Sequence, residues 1–168
     1  MTGLPRRAFG LLAGCMGLLP VGVARADILA RTGPVALGAE PVRVSLGSGP
    51  DLTARLHALA PGRKVRLVIR GMHADSPPGV LFGLFLGLEP DAVLPDDDDP
   101  RAVGTINFYA AQSPLDVPFT MSFDVTKKLR LLVDKMRSSN EISLTVVPMD
   151  SPARNAGAML GAVELLLE

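Results

Sequence analysis

The chain has 168 residues, with 17 basic and 17 acidic side chains, two histidines, one cysteine, one tyrosine and no tryptophan. A balanced charge removes the electrostatic footprint of a nucleic-acid binder, and so few histidines and cysteines leave no histidine- or cysteine-rich metal cage. The length suits one single-core domain behind a short leader and is too small for two comfortable ones.

Residues 1–26 read as an address. Arg6 and Arg7 precede an uncharged run from Ala8 to Val23, rich in Gly, Leu and Ala, which ends at Ala24-Arg25-Ala26. Ala24 and Ala26 are the small residues a signal peptidase needs, so cleavage is expected after Ala26. The glycines and the close cleavage site argue against a membrane span. The arginine pair followed by Ala8-Phe9 resembles a twin-arginine signal, the route for proteins already folded; ordinary Sec export is the alternative. Leu12-Ala13-Gly14-Cys15 also resembles a lipoprotein box, and only acylation of Cys15 would give a membrane contact. Each reading takes the chain out of the cytoplasm, to the periplasm or the medium. Cleavage removes Arg6, Arg7 and Arg25 and so leaves 14 basic against 17 acidic residues, a net charge of −3. Neither nucleic acid nor an anionic membrane is then expected as a partner. Cys15 goes too, so the mature chain must hold together by packing, without a disulfide.

Residues 27–41 are small and polar with Gly33-Pro34 and Glu40-Pro41 as breakers, and read as a lead-in segment to a domain over 42–168. Val42 and Val44 alternate with Arg43 and Ser45 as a first strand, closed by Gly47-Ser48-Gly49-Pro50. Leu52, Leu56 and Leu59 have helical spacing over one or two turns. Val65, Leu67 and Ile69 alternate with Arg66 and Arg70 in a half-buried strand that Gly71 ends. A strand from Val80 to Leu88 places Phe82, Leu84, Leu86 and Leu88 on one face and Gly83 and Gly87, beside Leu81 and Phe85, on the other, where a neighbour can approach closely. Pro95-Asp96-Asp97-Asp98-Asp99-Pro100 lacks the spaced ligands and turn glycine of a calcium loop and reads as a solvated acidic loop. Val103 to Ala111 reads as a strand carrying Tyr109, before the turn-rich run from Gln112 to Pro118. Phe119, Met121, Phe123 and Val125 alternate with polar residues and lead into a helix capped by Asp124 or Thr126 and lined by Leu129, Leu132, Val133 and Met136. Strands at Ile142–Val146 and Ala158–Leu167 complete the set. About seven strands with one short helix and no repeated crossovers predict an all-β fold, an antiparallel β-sandwich of jelly-roll type.

The residues offer little chemistry of their own. His57 and His73 have no ligand spacing, no serine sits in a nucleophile elbow, and no glycine-rich loop opens a helix. Met72-His73, with Met121 or Met149, is a soft donor set for Cu(I), a pair without a fixed third ligand. On the residues alone the chain is a small exported binding or structural domain and not an enzyme.

From Arg66 to Val147 the sequence resembles the C-terminal β-sandwich domain of molluscan hemocyanins and of some bacterial and plant tyrosinases, the type-3 copper proteins. The resemblance rests on Ile69-Arg70-Gly71-Met72, Val80 to Leu86, Val103-Gly104-Thr105-Ile106 and Phe123-Asp124-Val125-Thr126, in that order. In that family the sandwich covers the mouth of a separate helical domain, which holds two coppers on six histidines. A bulky side chain at the end of the glycine-threonine strand blocks the site. Counted from Gly104-Thr105, that position is Tyr109, whose phenol is similar to a monophenol substrate. The helical histidine domain is missing, and two histidines cannot replace it.

The resemblance therefore implies a non-catalytic, exported accessory subunit for a tyrosinase-like copper oxidase. Copper would sit in the partner, and this chain would carry no cofactor. Tyr109 would be the plug, with Phe108, Leu115, Val117 and Phe119 as apolar contacts. The alternatives are a periplasmic copper-binding or delivery protein using Met72 and His73, and a structural sandwich with no copper link.

Overall fold

The structure, a computed structural model, describes residues 26–48, 50–88, 99–109, 119–135 and 141–168. Arg6, Arg7, Cys15, Ala24, Leu115, Val117 and Met136 lie outside the described residues. The fold is all-β. Two four-stranded antiparallel sheets face each other. The first has the order β1 (Asp27–Arg31), β10 (Ala162–Leu167), β4 (Val65–Met72), β7 (Phe119–Asp124). The second has the order β3 (Val42–Ser48), β8 (Glu141–Pro148), β5 (Phe82–Leu86), β6 (Ala102–Ile106). A two-stranded ribbon, β2 (Val35–Ala36) with β9 (Met159–Leu160), is carried on by a bridge between Met159 and His73. Two helices, α1 (Pro50–His57) and α2 (Thr126–Lys135), pack together.

Period-two alternation makes the core. Val65, Leu67 and Ile69 of β4 and Val163 and Leu165 of β10 pack with Phe82, Leu84, Ile106, Ile142 and Leu144 of the other sheet, all at 0–1% exposure. Each such side chain contributes about 1.5–3 kcal/mol by leaving water. Leu52 and Leu56 of α1 and Leu129 and Val133 of α2 join the same core. The outward face of the first sheet is polar and paired: Arg70 Nε bonds the Glu164 carboxylate at 2.8 Å, Arg31 Nε lies 3.4 Å from it, and Arg66 Nε bonds Glu168 at 2.8 Å.

The sheet edges β6 and β7 meet on one side of the sandwich, as β1 and β3 do on the other. At the first seam the Phe123 ring lies over Gly104, where a Cβ would come within 2.9 Å of the ring. Next in sequence, the Asp124 carboxylate accepts from the Thr126 backbone N–H at 3.1 Å and from its hydroxyl at 2.7 Å. The Thr126 hydroxyl oxygen in turn accepts from the Val65 N–H at 2.9 Å, tying the start of α2 to the start of β4. The two Thr126 bonds, helped by the charges of Lys64 and Arg66, hold the Asp124 carboxyl below the usual carboxylate range. Thus Phe123-Asp124-Val125-Thr126 is a corner: a ring for the seam, a carboxylate for the helix start, a fully buried valine and a hydroxyl tie.

Several expectations need correction. The described residues contain ten strands and two helices, where about seven strands and one short helix were expected. Residues 27–41 are more than a lead-in: β1 pairs with β10 from Asp27 to Arg31, and β2 pairs with β9. The last strand breaks at Gly161, whose N–H bonds the carbonyls of Arg70 and Gly71 at 2.9 and 3.1 Å. There the backbones touch so closely that a Cβ would sit 3.0 Å from Arg70 O and 3.2 Å from Gly71 Cα. The strand expected over Val80 to Leu88 is shortened to Phe82–Leu86, because Gly87 turns at φ 64° and lies under Leu132 of α2. The strand expected to reach Ala111 stops at Ile106, after Val103 is left unpaired in a bulge opposite Leu84 and Phe85. Asp99, at the end of the acidic run, is not freely solvated: Arg101 clamps it through backbone N–H (2.7 Å), Nε (2.9 Å) and Nη2 (2.7 Å).

The backbone crossing predicts a cost for any side chain at Gly161. Gly161→Ala is expected to destabilise the fold by about 1–3 kcal/mol, because backbone carbonyls cannot move aside as a flexible side chain could; a lower urea midpoint at unchanged slope is the expected reading. The Asp99 clamp predicts an acid dependence. Its hydrogen bonds with Arg101 lower the carboxyl from 3.8 to about 2, so the ionised form favours the folded state. That contribution is complete above the unfolded value and disappears as pH falls from near 4 toward 2. Asp99→Asn should flatten the fall in urea midpoint across that window, and an unaltered pH profile would contradict the clamp.

Candidate functional site

At the end of β6 the alternation continues for two residues past the last ladder bond. Ile106 and Phe108 both point inward, at 0% and 2% exposure, and the Phe108 ring meets Phe82 edge to face, with centroids 5.7 Å apart and planes at 78°. Between them Asn107 turns its side chain along the backbone, and its Oδ1 accepts from the Tyr109 N–H at 3.2 Å. This Asx-type bond bends the chain as it leaves the sheet. Tyr109 follows with 71% of its surface exposed, the highest among the large apolar side chains of the described residues. Sequence alone placed Tyr109 at a strand end; the structure places it three residues beyond β6, directly after the buried ring of Phe108 and at the end of a hydrogen-bonded turn.

The expected neighbours of Tyr109 divide. Phe108 is a core residue rather than a surface contact, since its ring is enclosed against Phe82. Phe119 is half-buried; it opens β7 opposite Met72 and packs on the core. Sequence reasoning missed Leu81 and Met149, which are 44% and 47% exposed and joined by the Met149 N–H to Leu81 carbonyl bond at 2.9 Å. Both lie at this end of the sandwich, because Phe82 pairs with Ile106 on one side and Pro148 on the other. Alternation put Leu81 with Phe85 on a covered face; β5 begins only at Phe82, so Leu81 escapes that cover.

The soft donors are not brought together as a set. Met72 is in the core at 3% exposure, whereas His73 is exposed and its Nε2 lies 3.1 Å from Asp75 Oδ1. The exposed residue opposite His73 is Met159 of β9. His57 is on α1, 3.9 Å from Asp134 of α2. Among the described residues no three His, Cys, Asp or Glu side chains converge. None of the described helices is long and apolar enough to cross a membrane.

Neither a family model nor a curated protein matches the sequence. Solved structures do match. Recombinant latent aurone synthase, a polyphenol oxidase, superposes with a TM-score of 0.53 at 17% identity, over 80% of this chain and 25% of its own. Latent aurone synthase from its natural source gives 0.51 at 14%, over 79% and 25%. Latent apple tyrosinase gives 0.51 at 13%, over 80% and 27%. At these identities the likeness is one of fold, and the chain spans about a quarter of the length of the solved structures it matches.

The two adjacent aromatics separate stability from presentation. Phe108→Ala is expected to cost about 3–5 kcal/mol, by cavity and lost ring contact. Tyr109→Ala should stay within about 0.5 kcal/mol, as for an exposed side chain. Urea denaturation of the two variants measures both, and a large loss for Tyr109→Ala would make the tyrosine structural.

Proposed function

We propose that this protein is an exported, non-catalytic accessory subunit of a tyrosinase-like dicopper oxidase, and that it covers the active-site mouth of that partner. The observation that carries the reading is the adjacency of Phe108 and Tyr109: an enclosed ring fixes the backbone, and the next residue presents a phenol to the outside. The fold likeness to polyphenol oxidase structures supports it, since a sandwich matching about a quarter of those chains is the size of one domain among several. The sequence resemblance gives that domain a place over the copper site.

In this mechanism the phenol of Tyr109 enters the partner's substrate pocket and occupies it sterically. Being monophenol-like, it fits the shape and polarity of the pocket; being tethered through Phe108, it is held out of reacting register. Leu81 and Met149 supply apolar contact beside it, and copper belongs to the partner. A twin-arginine leader on this chain would let the folded pair leave the cytoplasm on one signal, to the periplasm or beyond.

Co-expression with a tyrosinase-like partner tests the proposal. The two chains are expected to co-purify, with Tyr109→Ala weakening the complex about tenfold or more and unmasking oxidase activity. Failure to co-purify, together with oxidase activity indifferent to the substitution, would overturn it.

A further inference from the structure

The cations of the described residues are not distributed like the acids. On the outer face of the first sheet Arg31, Arg66 and Arg70 are consumed by Glu164 and Glu168. Around α2 the pattern reverses. Lys127, Lys128 and Arg130 share a cleft of about 530 Å³ with Arg63 and Lys64 from the turn before β4, and none of these five forms an ion pair with another described residue. Lys128 makes a long bond to the Pro100 carbonyl, 3.4 Å, and its charge helps to lower the Asp99 carboxyl. The carboxylate in the cleft, Asp124, is hydrogen-bonded by Thr126 and also feels the charges of Lys64 and Arg66. Leu131 is 55% exposed and forms, with Lys128, the wall between this cleft and a second of about 410 Å³. The same end of the sandwich is remote from Tyr109: β6 runs from Ala102, next to Arg101 of the second cleft, to Ile106, about 13 Å along at the rise of a strand.

We propose that this end of the sandwich is a second binding surface, for an acidic, extended peptide segment of a protein partner, with an aliphatic side chain of the peptide against Leu131. Charge complementarity selects the occupant. Five cations line this one cleft against a single carboxylate among its lining residues, Asp124, so they repel one another and are relieved by further carboxylates. The shape argues for a peptide over an anionic bilayer. The cations line concave clefts of side-chain size, and a single exposed leucine gives a membrane little apolar area to bury. Nucleic acid is disfavoured because none of the residues lining either cleft is aromatic, so bases have no platform to stack on. The surface would remain open while the Tyr109 end is engaged, so the protein would hold two protein segments at opposite ends.

The test is fluorescence anisotropy of the full chain with a short fluorescein-labelled oligoglutamate peptide carrying one central leucine, beside flotation with phosphatidylglycerol vesicles. The expected result is saturable peptide binding that weakens with added salt and falls about tenfold or more in the double variant Lys127→Glu, Arg130→Glu. Arg154→Glu, the same kind of charge reversal on an exposed residue outside both clefts, should leave affinity within about twofold, which separates a local site from net charge. Tyr109→Ala should leave it unchanged, so a failed plug and a failed basic site are told apart. The proposal is overturned if no peptide binding occurs, if Arg154→Glu weakens binding as much as the double variant, or if vesicles are captured and the peptide is not. Unchanged thermal midpoints of the variants guard the reading against unfolding, and Leu131→Ala, which removes the apolar ridge and leaves every charge in place, should by itself weaken the peptide several-fold.

Discussion

The contact on which this architecture turns is a phenyl ring lying on a glycine. Gly104 belongs to the edge strand of one sheet and Phe123 to the edge strand of the other, so their contact closes one side of the sandwich. With a Cβ expected 2.9 Å from the ring, no larger residue fits without displacing Phe123. Because Phe123 is followed at once by the Asp124, Val125 and Thr126 corner, the seam is coupled to the start of α2 and, through the Val65 N–H, to the centre of the first sheet. The bulge at Val103 beside the glycine sets which residues of β6 face inward as the strand leaves the ladder. Ile106 and Phe108 then inherit the core, and Tyr109 the outside.

That chain of causes separates two kinds of residue in the motifs. Gly104, Phe123, Asp124, Val125 and Thr126 each have a complete structural explanation: an absent Cβ, a ring to cover it, a carboxylate for the helix start, a buried aliphatic side chain, a hydroxyl between elements. They would be needed by any chain with this fold, whatever its role, so they speak for the fold. Tyr109 is different. Its backbone is held by Asn107, its predecessor is held by Phe82, and no contact among the described residues requires an aromatic ring at a position 71% exposed. Tyr109 is therefore the residue on which the proposed function rests.

The legible part of the fold was the part where alternation was strong. β4, β7 and β8 carry their inward residues at every second position, and the leucine spacing of α1 and α2 showed which faces they bury. What escaped depended on events between distant residues. Gly161 breaks the last strand only because Arg70 and Gly71 cross it, ninety positions away in sequence. β1 has a weak pattern, with a bulge between Ile28 and Ala30, and becomes a strand because β10 offers an edge to pair with. Phe108 and Phe119 looked alike as apolar residues near the tyrosine, yet one is enclosed and the other half-buried, a distinction fixed by Phe82 across the sheet. The basic cleft was illegible for the same reason: its cations come from 63–64 and 127–130, and the bond from Val65 to Thr126 brings those segments side by side.

A sandwich built this way transmits little between its ends. The strands between Tyr109 and α2 are buried on the inner face, close-packed and joined by continuous antiparallel ladders, an arrangement that resists small displacements. Binding at one end therefore has no bistable element among the described residues through which to alter the other, and two occupied ends would act by proximity, each raising the effective concentration of what the other holds. For a small domain with no catalytic constellation among its described residues, that is a coherent use of the fold. On the two proposals, the aromatic end would determine what is covered and the basic end what is kept nearby, with the ladders fixing the distance between them.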